Sequence, residues 1–357
     1  MILARVTTQT FRNLDAADLA FHPQTNIVVG RNGQGKTNLL EAIYFLATTK
    51  SFRTSRVASL FRFDAPNLFV SGAVERDGIE RTMSVGLEAE TKRRVLTINA
   101  EKVPLAAYLN ALTVFAYSSS RLDILRGAPE ERRRFLDRGI ASINPAYLEL
   151  LTRYGRALKQ RNALLHDVAS GTASASMLDP WDQEFAAAAA PVWSARAAYV
   201  QHLAKTFREI VAMHRYHVGN VELMYRPATS DVPRVAEIRA RMSLTGPQRD
   251  VLDFEVDGRP VAEVLSGGEQ KMIVLFLKFA KIELFRRRTD ESPVFLLDDI
   301  DAELDLDILQ ELLQNLPPKT QVFATSAKER FLDVLETAPH RRLLIENGRV
   351  KGTQDFA

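Results

Sequence analysis

The chain contains no cysteine at all. That excludes a disulfide framework, a thiolate metal centre and a cysteine nucleophile, and it fits a reducing, cytoplasmic setting. Long apolar runs are missing as well. The longest, around Val274 to Phe279 and Val294 to Leu297, fall far short of a bilayer crossing, so no membrane role is expected. Met1 to Val6 show no basic start leading into an apolar stretch and cleavage site, so a secretory leader is not expected either. Sustained heptads and internal repeats are absent, which argues against long coiled-coil arms. The histidines show no metal-ligand spacing; His214 and His217, three apart, are expected on a surface. Charge of one sign is lacking too. With 47 Lys and Arg against 44 Asp and Glu the net charge is only +3, which by itself names no partner. Locally the balance shifts: Arg121 to Arg161 carries ten basic residues against five acids, a place where an anionic partner could be met.

What is present is a chain of 357 residues, 46% hydrophobic, long enough for about two domains. Residues 2–10 and 17–22 have the pattern of paired strands around the Asn13-Leu14-Asp15 turn. A short apolar strand, Asn26 to Val29, runs into a glycine-rich loop. From Lys36 to Ala47, Leu39, Leu40, Ile43 and Leu46 then recur at helical spacing. Residues 68–99 alternate polar and apolar, with Asp77-Gly78 as a hairpin signal. From about Arg121 to Tyr216 helix-favouring residues dominate. Past Gly246-Pro247 strand character returns at Val251 to Val256. A long helix from about Glu269 to Arg287 follows, then strands at Val294 to Leu297, Gln321 to Ala324 and Arg342 to Ile345. The expected architecture is α/β: a P-loop head with a mixed β-sheet and helices, built from residues 1–120 and 246–357, with an all-helical second domain inserted at 121–245.

Three segments carry chemistry. Gly30-Arg31-Asn32-Gly33-Gln34-Gly35-Lys36-Thr37 matches G-x-x-x-x-G-K-[ST] between a strand and a helix. Glycines let the backbone wrap a phosphate, and loop N–H groups point at the anion. Lys36 is expected to reach the β- and γ-phosphates of ATP, and Thr37 to join the Mg²⁺ shell. Val294 to Asp299 is an apolar strand ending in two acids. Asp298 is expected to hold Mg²⁺, and Asp299 to orient or deprotonate the attacking water. Leu265-Ser266-Gly267-Gly268-Glu269-Gln270-Lys271 can be read as an S-x-x-E capping box. It can equally be a helix N-terminus made close-fitting for phosphate by two glycines, and both can hold together. Arg12, in the turn ahead of the P-loop, is expected to touch nucleotide or to pair with a surface acid. Trp181 and Trp193 are expected in a core.

Together with Ala302-Glu303-Leu304-Asp305, these segments resemble the ATP-binding-cassette superfamily. That resemblance implies that Ser266, Gly267, Gly268 and Glu269 of one chain close over ATP held by another, with Glu303 and Asp305 at the dimer interface. Within the superfamily the chain is similar to the RecF family of bacterial recombination mediators. The likeness rests on Phe11-Arg12-Asn13-Leu14, Asn32 through Tyr44, Ser51-Phe52-Arg53, Glu131 through Asp137, and Gly246-Pro247-Gln248-Arg249-Asp250. It spans essentially the whole chain. It implies ATP-dependent homodimerisation, sequence-nonspecific binding of double-stranded or gapped DNA, and work with RecO and RecR in loading recombinase. Slow, DNA-stimulated ATP hydrolysis would reset the cycle. The family often has histidine where Gln248 stands. Transporter cassettes usually place a histidine after the strand that here ends Thr325-Ser326, and none is present. The alternative, a transporter's ATPase subunit, is disfavoured by spacing, because about 230 residues separate the P-loop from Ser266, roughly twice what such cassettes use. An inserted segment rich in Arg132, Arg133, Arg134, Arg138, Arg153, Arg156 and Arg161 also suits phosphate backbones better than an apolar coupling surface.

Overall fold

The computed structural model describes residues 1–118, 122–213, 219–299, 310–311, 313–327 and 339–356. In chain order the first third comprises β1 (Ile2–Gln9), β2 (Ala17–Ala20), β3 (Thr25–Val29), α1 (Lys36–Thr48), β4 (Asn67–Arg76), β5 (Ile79–Glu88), β6 (Arg94–Ile98), β7 (Glu101–Lys102), α2 (Leu105–Ala111) and β8 (Val114–Ser118). The middle holds α3 (Asp123–Arg126), α4 (Pro129–Ile143), α5 (Tyr147–Ala169), α6 (Leu178–Met213), β9 (Val221–Arg226), α7 (Arg234–Ala240), β10 (Val251–Val256), β11 (Arg259–Pro260) and α8 (Val261–Val264). After α9 (Gly267–Thr289) come β12 (Val294–Asp298), β13 (Gln321–Ser326), β14 (His340–Glu346) and β15 (Arg349–Phe356). Two compact units result. The first takes Met1–Arg121, Ile210–His217 and Lys271–Ala357; the second takes Leu122–Glu209 and Val218–Gln270.

The first unit contains two six-stranded sheets. One is antiparallel, in the order β2-β1-β4-β5-β6-β7, and its hairpin between β4 and β5 turns at Asp77-Gly78. Burial alternates along β4, as expected of a sheet with one wet face. The other sheet runs β15-β14-β3-β13-β12-β8 and is parallel from β14 to β8. Every residue of β12 and β13 is buried, the mark of parallel strands covered on both faces. Successive side chains explain how. Val294 and Leu296 join a core with Leu39, Leu40 and Ile43 of α1. Phe295, between them, points the other way and meets Phe279 of α9 edge-on at 5.5 Å. The length of α9 from Met272 to Phe285 is apolar nearly all round because it lies inside the fold.

The second unit corrects one expectation. Its helices α3 to α6 fit an α-helical insert, but β9, β10 and β11 form a three-stranded antiparallel sheet within it. The insert is therefore not all-helical, and its compact unit extends to Gln270 rather than ending at 245. The reason is pairing. Val251 to Val256 finds its hydrogen-bond partner in Val221 to Arg226, inside the insert, and not in the head.

Candidate nucleotide site

The P-loop leaves the buried strand β3 and ends on α1, whose first residue is Lys36. Two glycines are demanded by close approach. Gly30 adopts φ 151°, and a Cβ there would run into the carbonyl oxygen of Ile345. Gly35, at φ 114°, caps α1 in a left-handed conformation with Asn13 Oδ1 only 3.2 Å from where a Cβ would lie. The loop is also seated on the β14–β15 turn. Gln34 accepts from Gly348 N through its carbonyl at 2.8 Å and from Asn347 N through its side chain at 2.6 Å. Inside the curl, Lys36 Nζ donates to the carbonyls of Gly30 (2.6 Å) and Arg31 (3.2 Å), which brings its charge to the loop's concave side. A cleft of about 660 Å³ opens beside Gly30, Arg31, Gln34, Ser326, Arg342 and Asn347.

At the other end of the constellation β12 delivers Asp298, only 4% exposed. Thr37 Oγ1 donates to its Oδ1 at 2.8 Å, although the two residues are 261 positions apart in sequence. Thr325 Oγ1, at the end of β13, donates to the same oxygen at 3.0 Å. Thr325 also accepts from the backbone N–H of Asp299 at 2.8 Å, and so ties the two acids together. Asp299 itself is exposed and sits at φ 55°, where the chain turns sharply out of the strand. Burial pushes the Asp298 carboxyl above the usual aspartate range; the Thr37 and Thr325 hydroxyls pull it back, Asp299 adds to the rise, and the charge of Arg53 lowers it a little.

A buried carboxylate answered by neutral hydroxyls suits a hard cation, and a glycine loop that ends on a helix N-terminus and carries a lysine suits a phosphate. The residues present therefore fit a Mg²⁺–triphosphate: Thr37 and Asp298 on the metal side, Gly30 to Lys36 on the phosphate side.

The other expected residues fall out as follows. Arg12 pairs with Glu41 of α1, a carboxylate that is completely buried, and not with a surface acid. The same carboxylate accepts from Ser51 and lies 3.4 Å from Arg53 Nη1, which also donates to Asn38 at 2.7 Å. Ser266 and Glu269 form the capping box: Ser266 N and Oγ donate to Glu269 Oε2 at 2.8 and 2.7 Å, and Glu269 N donates back to Ser266 Oγ at 3.3 Å. A Cβ on Gly267 or Gly268 would meet nothing within 4 Å, so both present bare backbone to open space. Glu303 and Asp305 lie outside the described residues, as do His214 and His217. Trp193 is not simply core: its Nε1 donates to the buried Asp250 at 2.9 Å. Sequence reasoning missed Thr325 and the Asn347-Gly348 seat. The signal for Thr325 was its place, closing an apolar strand where transporter cassettes carry their histidine one step on.

Part of the arginine-rich stretch is spent inside the second unit. Arg132 reaches Asp253 at 3.1 Å, Arg134 pairs with Glu130 and Glu131, Arg153 with Glu184, and Arg161 with Asp182 and Glu237. Arg133 donates to the carbonyl of Asp250 at 3.1 Å. Arg138, Arg156 and Lys159 of the same stretch are exposed with no ion pair among the described residues, so the local surplus read from sequence is spent only in part.

A strand–loop–helix P-loop, with an acidic strand end two strands away in a parallel sheet, defines a P-loop head of the ATP-binding-cassette fold. The chain matches the RecF/RecN/SMC N-terminal domain family over residues 2–343. It belongs to that family and, within it, to RecF. It is 34% identical over 346 residues to the DNA replication and repair protein RecF of Lactobacillus acidophilus, covering 91% of this chain and 92% of that one. To the RecF of Geotalea daltonii it is 32% identical over 372 residues, covering 98% and 100%. Among solved structures it is similar to the recombination mediator protein RecF with ATP in the RecFOR pathway, with a TM-score of 0.88 and 25% identity over 100% of this chain and 98% of that one. An SMC head bound to the C-winged helix domain of ScpA shares the fold, with a TM-score of 0.59 at 15% identity, covering 100% and 98%. Among the described residues no helix is long and apolar enough to cross a membrane.

Proposed function

We propose that this chain is an ATP-dependent DNA-binding protein of recombinational repair and replication restart, reset by slow ATP hydrolysis. The observation that carries the nucleotide part of the reading is the Thr37–Asp298 hydrogen bond, which joins the P-loop to the acidic strand end with Thr325 closing the other side; the DNA part rests on the relatives. That a similar RecF is seen with ATP, and that the relatives are named as DNA replication and repair proteins, supports the same reading.

Loop N–H groups and Lys36 hold the β- and γ-phosphates, and Thr37 with Asp298 holds Mg²⁺. The ion, when bound, supplies neutralisation of phosphate charge. Asp299, anchored through its N–H on Thr325, orients the attacking water or takes its proton. The capped N-terminus of α9, with Ser266, Gly267 and Gly268 of a second copy, closes over the γ-phosphate, and Glu303 and Asp305 lie at that dimer interface. Dimerisation is then the ATP-bound state of a switch that holds double-stranded or gapped DNA, and hydrolysis releases it. By likeness to RecF, RecO and RecR are the partners in loading recombinase. The spacing between P-loop and signature, together with the RecF relatives, disfavours a transporter subunit.

Sedimentation of the full chain with Mg²⁺ and labelled gapped duplex, with and without ATP, tests this. ATP-dependent dimers that carry DNA are expected. Ser266→Arg is expected to keep nucleotide binding while losing the dimer and turnover. A Ser266→Arg protein that dimerises normally with ATP would falsify closure in trans.

A further inference from the structure

Some arginines of the second unit are paired and others are not; Arg138, Arg156, Arg208 and Arg259 are exposed with no ion pair among the described residues, but they are scattered along the chain. Arg132, Arg134, Arg153, Arg161 and Arg234 each meet acids of their own unit. Arg239, Arg241 and Arg249 are exposed and have no acidic partner among the described residues. From Ile238 to Arg249 the chain carries these three arginines and no acid. The acids on either side are withdrawn. Glu237, 3% exposed, accepts from Arg161 at 2.5 Å and from the N–H of Leu244 at 2.8 Å. Asp250, 1% exposed, accepts from Trp193, Arg196, Tyr225 and the N–H of Ala228. What the segment shows to solvent is therefore cationic charge alone.

The fold also brings two of these cations together, with Arg239 two residues ahead of the first. Arg241 ends α7 in the left-handed region at φ 57°, which turns the chain back on itself. Arg249 Nη2 then lies 3.0 Å from Sδ of Met242, so Arg241, Met242 and Arg249 share one patch. Arg133 stands close by. Burial holds its guanidinium below the usual arginine value, and Arg196 and Arg249 push the same way.

We propose that Arg239, Arg241 and Arg249 form a contact surface for the phosphodiester backbone of duplex DNA, holding it by charge without reading bases. The inference rests on the DNA-binding reading above and names its surface. Guanidinium forks match phosphate oxygens in pairs, and each phosphate neutralised releases counterions. The stretch from Ile238 to Arg249 holds no aromatic residue, so it lacks the anchors that dominate protein–protein contacts.

The test is the triple variant R239A/R241A/R249A in the full chain, with anisotropy of a labelled duplex across a salt series in the presence of ATP and Mg²⁺. The expected result is a loss of affinity of more than about tenfold, and a slope of log K against log salt shallower by about 2–3. Fluorescent-ATP binding and the thermal midpoint stay unchanged, because all three side chains are exposed. The paired control R134A/R153A keeps the wild-type slope. If the wild-type chain ignores duplex DNA with ATP, the DNA-binding reading itself falls. If the wild type binds and the triple variant keeps both affinity and slope, only this surface is overturned. A triple variant that keeps DNA but loses RecR overturns it in favour of a protein-docking face.

Discussion

Asp298 in the first unit and Asp250 in the second are buried alike, at 4% and 1% exposure, but their surroundings differ in kind. Asp250 is saturated: Arg196 Nη1 at 2.7 Å, Tyr225 at 2.6 Å, and Trp193 and the Ala228 N–H at 2.9 Å each. Arg196 in turn forks onto Asp137 at 3.0 Å through both Nε and Nη2, so two motifs distant in sequence meet on one guanidinium. Asp298 receives two neutral hydroxyls on Oδ1, and its Oδ2 accepts no hydrogen bond among the described residues. A carboxylate supplied with a cation by its own chain builds structure. One left with neutral donors is ready for a cation from outside.

The comparison breaks most directly at Asp250. Asp250→Ala removes one side of a buried ion pair and is expected to cost about 3–5 kcal/mol of stability by chemical denaturation. A loss below about 1 kcal/mol would mean that the network is not holding the second unit together. Asp298→Ala should do the reverse: little loss of stability without nucleotide, but Mg²⁺-dependent ATP turnover down by about a hundredfold or more. Normal turnover in that variant would remove Asp298 from the metal site. Lys36→Ala sharpens the contrast on the phosphate side, with ATP affinity weaker by about ten- to a hundredfold, as expected for one charge-assisted contact, read by fluorescent nucleotide titration.

The smallest effect concerns pH. Because burial raises the folded-state value of Asp298, the protonated carboxyl is the form the fold prefers. Its contribution to stability is complete below the ordinary aspartate range and is lost as pH rises through the raised value. In nucleotide-free protein Asp298→Asn is therefore expected to raise Tm at neutral pH, with the gain vanishing in acid. Mg²⁺ should stabilise the wild type and leave the variant unmoved. A lower Tm at neutral pH would show that the ionised carboxylate is already compensated by its neighbours.

Much of the first unit was legible because its signals are local. Gly30, Gly35 and Lys36 belong to a loop whose backbone needs those residue types at that spacing. The short apolar run Val294 to Leu297, closed off by Pro293 before it and two acids after it, reads as a buried strand from its own residues. The second unit was read less well. The strand Val251 to Val256 is legible in the sequence but its domain is not, because its partner Val221 to Arg226 is chosen by folding and not by proximity. The count of arginines is legible in the sequence, but not which of them are paired, since Arg132 meets Asp253 and Arg161 meets Glu237 across long stretches of chain. Arg12 was expected against nucleotide or a surface acid, and it found the buried Glu41 on α1.

By itself, the sequence determined the phosphate-binding chemistry, the strands and helices around it, and membership in the RecF family. These depend on backbone conformation and residue type within short windows. Only the tertiary structure decided which charges are spent and which remain. Burial and pairing are properties of side chains brought together from far apart, so Thr325 becomes the hinge between two acids, Asp250 a keystone of the fold, and Arg241 a cation left facing solvent.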